Sequence, residues 1–462
     1  MSEPAARDVL VVGAGLAGAR TVAELRAAGF DGRVRVLGAE GLPPYDRPPL
    51  SKHLLDRPDP AWLSDEIGLD LSALADEVCL DRPARGLRLD GDRPTVLTDQ
   101  GPLTADDVVL ATGAHAVRVP GWESALTLHT AADAARLRAA LVPRAVRPSG
   151  PPPIDEDRWR TAAAPRARLV VIGAGWIGAE VAGVAAAAGH PVTVVEAGAQ
   201  PLNAALGERI GGLSARWYHD AGVRLLTGAR VAAVRPDGVD LADGRTVPAD
   251  VVLAAVGARP STAWLGDAVP LGPDGAVQVG HRYRVLGPVE PQRPPAPVPG
   301  RPVFVVRDGT GALASVRREI PGLWAVGDVA SRWSPRHGTV AGGHWDGALR
   351  GPRALVGHLL GHPAEPPEDD PAPYVFSTQL GHELALFGVP RRTDEVVLRG
   401  DASSREGWAA IWLAAGDRAS AVLVVDRPRD VGTARRLFTA ASLSRLDRSA
   451  ATDPSMPLRA LD

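Results

Sequence analysis

The sequence predicts an α/β fold: two βαβ units in succession, then a small α+β domain at the C-terminal end. Three observations carry this. Residues 8–40 and 168–196 repeat one pattern of apolar strand, glycine-rich turn, helical stretch and second strand. At 462 residues the chain exceeds the roughly 250–300 that one hydrophobic core serves, so two or three domains are expected. Beyond a proline-rich stretch at residues 363–373, short apolar runs flank one helical stretch, as in a small antiparallel sheet with a helix.

Composition narrows the class. Apolar residues make up 45% and charged residues 23%, ordinary globular usage. A formal charge of -3 with scattered basic residues offers no broad attraction to nucleic acid or to an anionic membrane, and neither is expected as a partner. Cys79 is the only cysteine, so no disulfide, thiolate cluster or dithiol redox pair can form within the chain, and no metal is expected. The first apolar run, residues 9–12, passes at once into Gly13; it is too short for a signal or spanning helix, and a cytoplasmic location is expected. Lys52 is the only lysine among 51 lysine and arginine residues.

The first unit opens with a strand from Asp8 into Gly13-Ala-Gly-Leu-Ala-Gly18, runs through a helical stretch to Gly29, and returns in a strand toward Glu40. The second opens at Arg168, turns through Gly173-Ala-Gly-Trp-Ile-Gly178, and returns after Gly189 in a strand that ends at Glu196. Glycine just past each helix fits a C-terminal stop. Residues 143–166 and 286–314 are proline-rich and read as extended surface inserts without packed cores. In the last region, strands are expected near Glu395, Ala409 and Ala421, with a helix near 431–442.

The glycine spacing carries chemistry because it follows a strand and opens a helix. The first glycine (Gly13, Gly173) makes the tight turn, and the second (Gly15, Gly175) lets the backbone approach a pyrophosphate. The third (Gly18, Gly178) allows close helix packing, and the helix N-terminus supplies partial positive charge. Glu40 and Glu196 stand where a carboxylate can accept the hydroxyls of an adenosine ribose. An acid at 196, with no arginine following, favours NADH over NADPH. The alternative is a tight turn without ligand, or a vestigial second site.

Two Rossmann-like units in one chain, followed by Leu323-Trp-Ala-Val-Gly-Asp328, resemble the two-dinucleotide-binding-domain flavoproteins. The segment Pro44-Tyr-Asp-Arg-Pro-Pro-Leu-Ser-Lys52 is similar to a signature of the ferredoxin and rubredoxin reductases and of apoptosis-inducing factor. Gly343-His-Trp-Asp-Gly-Ala348, Pro373-Tyr-Val-Phe-Ser-Thr-Gln379 and residues 424–431 resemble later segments of that family. The resemblance implies a discontinuous FAD domain, residues 1–125 and 253–365, around an NADH domain at 126–252, with residues 371–462 as the C-terminal α+β domain. It implies an FAD-dependent NADH:ferredoxin reductase, which takes hydride from NADH onto FAD and passes single electrons to a ferredoxin-type carrier that feeds an oxygenase. That partner would be an iron–sulfur protein of the 2Fe–2S kind, and the chain itself a monomer or homodimer. A flavin NADH oxidase or small-acceptor reductase, and a non-catalytic FAD/NADH-binding redox sensor, remain the alternatives.

The same resemblance assigns residues. Lys52 would stand by the flavin and Glu180 would be its partner near the nicotinamide, the alternative for Glu180 being an ordinary surface acid. Arg47 would neutralise FAD phosphate, the alternative being a solvated arginine, and Gly327 and Asp328 would hold the ribityl chain. Thr112 and Gly113 end one crossover between the domains as FAD contacts, and Gly257 ends the other as an NADH contact. Trp176 is either a lid over the nicotinamide or a packing tryptophan. Trp345 and Phe376 would line the isoalloxazine, or serve as core. Arg332, Arg336, Arg350, Arg353, Arg391 and Arg392 form either a basic docking patch or scattered solvated charges. Thr378, Arg350 and Gly280 depart from the family pattern.

Overall fold

The computed structural model describes residues 7–91, 93–142, 166–290, 303–307, 313–365, 368–404, 406–440, 442–453 and 455–461. The strand Asp8–Val12 is a β-branched run buried on both faces, as a parallel sheet with covered faces requires. It pairs in parallel with Arg33–Leu37 on one side and Asp107–Leu110 on the other. Glu77–Cys79 extends the sheet beyond the first neighbour and the end of Leu313–Ala325 beyond the second, both in parallel. The helices Leu16–Ala27 and Trp345–Leu360 pack together on one face of this sheet, burying Val22, Leu25, Leu355 and Leu359. Each such side chain contributes about 1.5–3 kcal/mol of hydrophobic stabilisation.

The second unit repeats the plan in a separate four-stranded parallel sheet, ordered Arg224–Leu226, Val192–Val195, Leu169–Ile172, Val251–Ala254. The domain boundary expected at 252/253 cuts the last of these strands. Val251–Ala254 pairs with Leu169–Ile172, so the chain leaves this sheet only after Ala254. The two crossings then meet as a short antiparallel pair, Ala114–Ala116 with Ala258–Pro260.

The C-terminal domain is a five-stranded antiparallel sheet, ordered Tyr374–Gln379, His382–Gly388, Arg418–Val425, Trp408–Ala414, Glu395–Arg399. The helix expected near 431–442 lies earlier, at Pro428–Arg436, and a second short helix, Arg448–Thr452, follows. Leu380 and Gly381, both at positive φ, join the first two strands in a two-residue turn. That hairpin tip meets the second domain at Gly183 in the helix Trp176–Ala187, where an added Cβ would lie 2.8 Å from the Leu380 nitrogen.

One insert differs from expectation. The insert at 143–166 lies outside the described residues apart from Arg166, which is exposed. The 286–314 segment begins inside a strand, Arg284–Glu290, which pairs antiparallel with Leu313–Ala325, and Val303–Arg307 pairs with the same long strand. Val285 and Leu286 are both buried, a short apolar run whose strand character the neighbouring prolines masked.

Candidate functional site

Both glycine-rich turns have the geometry their spacing implies. Gly13 and Gly173 sit at φ 119 and 104, and an added Cβ would lie 2.1 and 2.5 Å from the carbonyls of Ala111 and Ala255. At Gly18 and Gly178 it would lie 1.8 and 2.1 Å from the first glycine's carbonyl, so only glycine lets the helix close on its strand. At Gly15 and Gly175 nothing stands within 4 Å, and neither helix N-terminus has a side-chain cap. Among the described residues, two helix ends without side-chain caps therefore face open space, as a site for an anion requires.

The acids are not equivalent. Gly13 N donates to Leu37 O and Gly173 N to Val195 O, so Glu196 corresponds in register to Gly38, not to Glu40. The strand expected to end at Glu40 ends at Leu37. At Gly38 a Cβ would lie 2.8 Å from Leu80 O, which leaves no room for a carboxylate. Glu196 instead accepts from Ala174 N (2.7 Å) and Gly198 N (2.6 Å), fixed beside the second turn. Glu40 pairs with Arg47 and accepts from Tyr45 Oη at 2.6 Å, while Arg47 also donates to His129 O at 2.5 Å. The Arg47 charge is thus already shared with Glu40. Burial pushes the Tyr45 phenol up to about 12 and, with Arg47 adding, the His129 imidazole down to about 4.

The segment 44–52 reaches the second and third domains at one point. Pro49–Lys52 is a single helical turn whose Lys52 ammonium lies 2.5 Å from Glu180 Oε1. Glu180, two residues past Gly178, is 4% exposed, which excludes the surface-acid reading. Its carboxylate also accepts from the hydroxyls of Ser51 and Ser377. Gln379 Nε2 donates to Ser377 Oγ at 3.0 Å. The Lys52 ammonium stands 5.0 Å from the Phe376 ring centroid, and Phe376 meets Trp345 edge to face at 5.8 Å. Trp345 Nε1 donates to Asp46 Oδ1 at 2.6 Å, and burial raises the Asp46 carboxyl above its ordinary value against that bond. Trp176 is partly buried against the core, while Ile177 and Val256 stay 42% and 36% exposed beside the second turn.

Asp328 follows Gly327, where a Cβ would lie 2.8 Å from the Ala17 side chain, so this segment lies against the start of the first helix. Its carboxyl is pushed up by burial, opposed by the hydrogen bond from Gly343 N (2.9 Å) and by Arg47. Thr112 Oγ1 donates to Ser261 O at 2.9 Å, and Gly113 and Gly257 sit at φ 67 and 115 where the crossings turn. An open helix N-terminus, a nearby half-buried carboxylate and a lysine with aromatic rings beside it suit the pyrophosphate, ribityl chain and ring of FAD. The fixed Glu196 beside the second uncapped turn suits the ribose of NADH.

The arginine patch does not hold together. Arg332 is buried and pairs with Asp370 at 2.6 Å, and Arg336 is buried on the carbonyls of Asp370 and Phe438. Arg350 and Arg353 pair with Asp346 and Glu368, which leaves Arg391 and Arg392 as exposed members without a carboxylate partner among the described residues, Arg391 donating to His337 O at 2.7 Å. A cavity of about 610 Å³ opens between the helix Asn203–Asp220 and the C-terminal domain, lined by Trp217, His382 and Asp426. Neither turn nor Lys52 borders it, so it is not this site.

Sequence reasoning missed Ser51, Ser377 and Asp46 as partners. All three lie inside the two segments singled out for their neighbours, and only the fold brings those segments together.

The model of the family described as pyridine nucleotide-disulphide oxidoreductase matches residues 7–288, and the model described as reductase C-terminal matches residues 374–462. The ferredoxin–NAD(+) reductase subunit of a benzene 1,2-dioxygenase system from Pseudomonas putida is 30% identical over 456 residues, covering 94% of this chain and 93% of that one. The crystal structure of Fdr9 matches 98% of this chain and 99% of that chain at 36% identity and a TM-score of 0.77. The reductase–putidaredoxin complex matches at a TM-score of 0.79 and 24% identity, over 99% of this chain and 98% of that chain, a likeness of fold.

Proposed function

Since this chain belongs to the pyridine nucleotide-disulphide oxidoreductase family, we propose that it is an FAD-dependent NADH:ferredoxin reductase. Its acceptor on this reading is a 2Fe–2S carrier that feeds an oxygenase, and it works in the cytoplasm. The observation that carries the reading is the Lys52–Glu180 pair, which ties the segment 44–52 to the helix opened by the second glycine-rich turn, in a chain with no second cysteine. Without a dithiol, electrons cannot pass to a disulfide within the chain, whatever the family name implies.

FAD supplies the two-electron to one-electron step, and the protein supplies binding, orientation and electrostatics. The turn at Gly13, Gly15 and Gly18 would hold its pyrophosphate, and Arg47, kept in place by Glu40, would supply a cation for the phosphates. Gly327 and Asp328 would hold the ribityl chain, Thr112 and Gly113 the crossing beside it, and Trp345 and Phe376 the edge of the ring. The turn at Gly173, Gly175 and Gly178, with Glu196, would hold NADH. Trp176 and Gly257, with the exposed Ile177 and Val256, would form walls for the nicotinamide. Lys52, neutralised by Glu180, presents N–H donors without a net charge at the junction of the two sites. The domain assignment follows the same lines, with the second crossing moved beyond Ala254.

Anaerobic stopped-flow reduction with NADH and with NADPH tests the reading. NADH is expected to bleach the flavin faster, because Glu196 repels a 2′-phosphate. Faster reduction by NADPH overturns the role of Glu196, and absence of reduction by either overturns the enzyme.

A further inference from the structure

Glu180 is where all three domains meet through hydrogen bonds. Its own helix belongs to the second domain, Ser51 and Lys52 come from the first, and Ser377 comes from the edge strand of the C-terminal sheet. Both hydroxyl partners are inside, Ser51 6% and Ser377 3% exposed, as is Gln379 behind Ser377 at 1%, while the Lys52 side chain keeps 15% exposure. A buried carboxylate is tolerated when a cation pairs with it and further donors fill its remaining lone pairs.

Ser377 has a defined direction. A hydroxyl carries one proton, and the Gln379 amide N–H donates to Ser377 Oγ at 3.0 Å. The single Ser377 proton is therefore committed to Glu180 Oε1, the same oxygen that holds Lys52. Two donors on one oxygen and Ser51 on the other leave the carboxylate one rotational setting, and the setting of the ammonium follows from it.

We propose that Ser377, oriented by Gln379, is a positioning residue that sets the Glu180 carboxylate, and through it the Lys52 ammonium, for reduction of the protein by NADH. This rests on the reductase reading above. It gives the C-terminal domain a part in the electron-uptake half of the cycle, in addition to covering the site.

The test compares Ser377→Ala, Ser377→Thr and Gln379→Ala holoproteins by anaerobic stopped flow over a range of NADH concentrations. Loss of a hydrogen bond to a charged group predicts a limiting reduction rate about ten- to a hundredfold lower in Ser377→Ala. Half-saturating NADH should move less than about threefold, since the loss falls on kcat and not on KM. Ser377→Thr should restore the rate to within about threefold, and Gln379→Ala should slow it by about two- to tenfold. Reoxidation of the pre-reduced proteins by ferricyanide should be unchanged. Infrared difference spectra of Ser377→Ala against the parent should show a shifted carboxylate band, absent when Glu180→Gln is present in both. Parent-like reduction in Ser377→Ala, a threonine variant as slow as the alanine variant, equal slowing of reoxidation, or no carboxylate band overturns the role. If Ser377→Ala does not retain FAD, Gln379→Ala carries the same test, and a parent-like rate there overturns the role. If the parent protein itself takes no electrons from NADH, the reductase reading falls and this role falls with it; a normally reduced parent with an indifferent Ser377→Ala removes only the role.

Discussion

Replacing Lys52 with methionine keeps most of the side-chain volume and removes the ammonium. The Glu180 side chain is 4% exposed and that of Lys52 15%, so the variant strands a buried carboxylate. Removing one partner of a buried pair costs about 3–5 kcal/mol. The Ser51 and Ser377 hydroxyls stay on the carboxylate and offset part of that, which leaves about 2–4 kcal/mol. Glu180→Gln leaves the better exposed ammonium, which can reach water along its stem, and should cost less, about 1–3 kcal/mol. The double variant removes both charges and should cost no more than the larger single loss, a coupling of at least the smaller one, about 1–3 kcal/mol. Urea unfolding of the four FAD-loaded proteins, followed by tryptophan fluorescence, measures the cycle. Costs that add to within about 0.5 kcal/mol would refute the pair as an interaction that stabilises the junction of the domains.

Two further outcomes follow from the geometry. Gly183→Ala puts a Cβ 2.8 Å from the Leu380 nitrogen, so the C-terminal hairpin must move; a loss of about 1–3 kcal/mol is expected, with earlier glutamyl-endopeptidase cleavage after Glu368. An unchanged digestion pattern would show that the contact yields freely. The His129 imidazole, held down to about 4 by burial and by Arg47, stays neutral in the fold, whereas an unfolded histidine protonates below about 6.5. Between these values the unfolded chain binds more protons, so stability falls as the pH falls from about 6.5 toward 4. His129→Gln should flatten that part of the stability curve by about 1–3 kcal/mol, and an unaltered slope would place the acid sensitivity elsewhere.

The fold class was legible because local signals agreed. Apolar strands, three glycines and a helix stop occur together at both Gly13 and Gly173; the first and third glycine of each proved to have a steric cause, while the second faces open space. Register was not legible. Glu40 and Glu196 look alike in sequence, yet the end of a strand is set by hydrogen bonds such as Gly13 N to Leu37 O. The insert after residue 286 failed for a related reason: its prolines hid a strand whose pairing partner lies some thirty residues away. Lys52 and Glu180 could be paired from the resemblance, but their Ser377 partner is 197 positions from Glu180, beyond any local pattern. Charge type alone misled at Arg332 and Arg336, because an arginine in sequence carries no mark of being buried on a carboxylate or on carbonyls.

The solitary lysine makes this protein unusually easy to observe. Mild reductive methylation with carbon-13 formaldehyde would label the Lys52 amine and, apart from it, only the chain's own terminal amine. Because Lys52 is held by Glu180 with 15% of its side chain exposed, the reaction rate would itself report how often the junction opens. Once labelled, the two methyl groups lie near the Phe376 ring, whose current would shift their resonance from that of a free amine. One line in a carbon-13 spectrum of a 462-residue protein would then follow the approach of nicotinamide, flavin and C-terminal domain without further labelling.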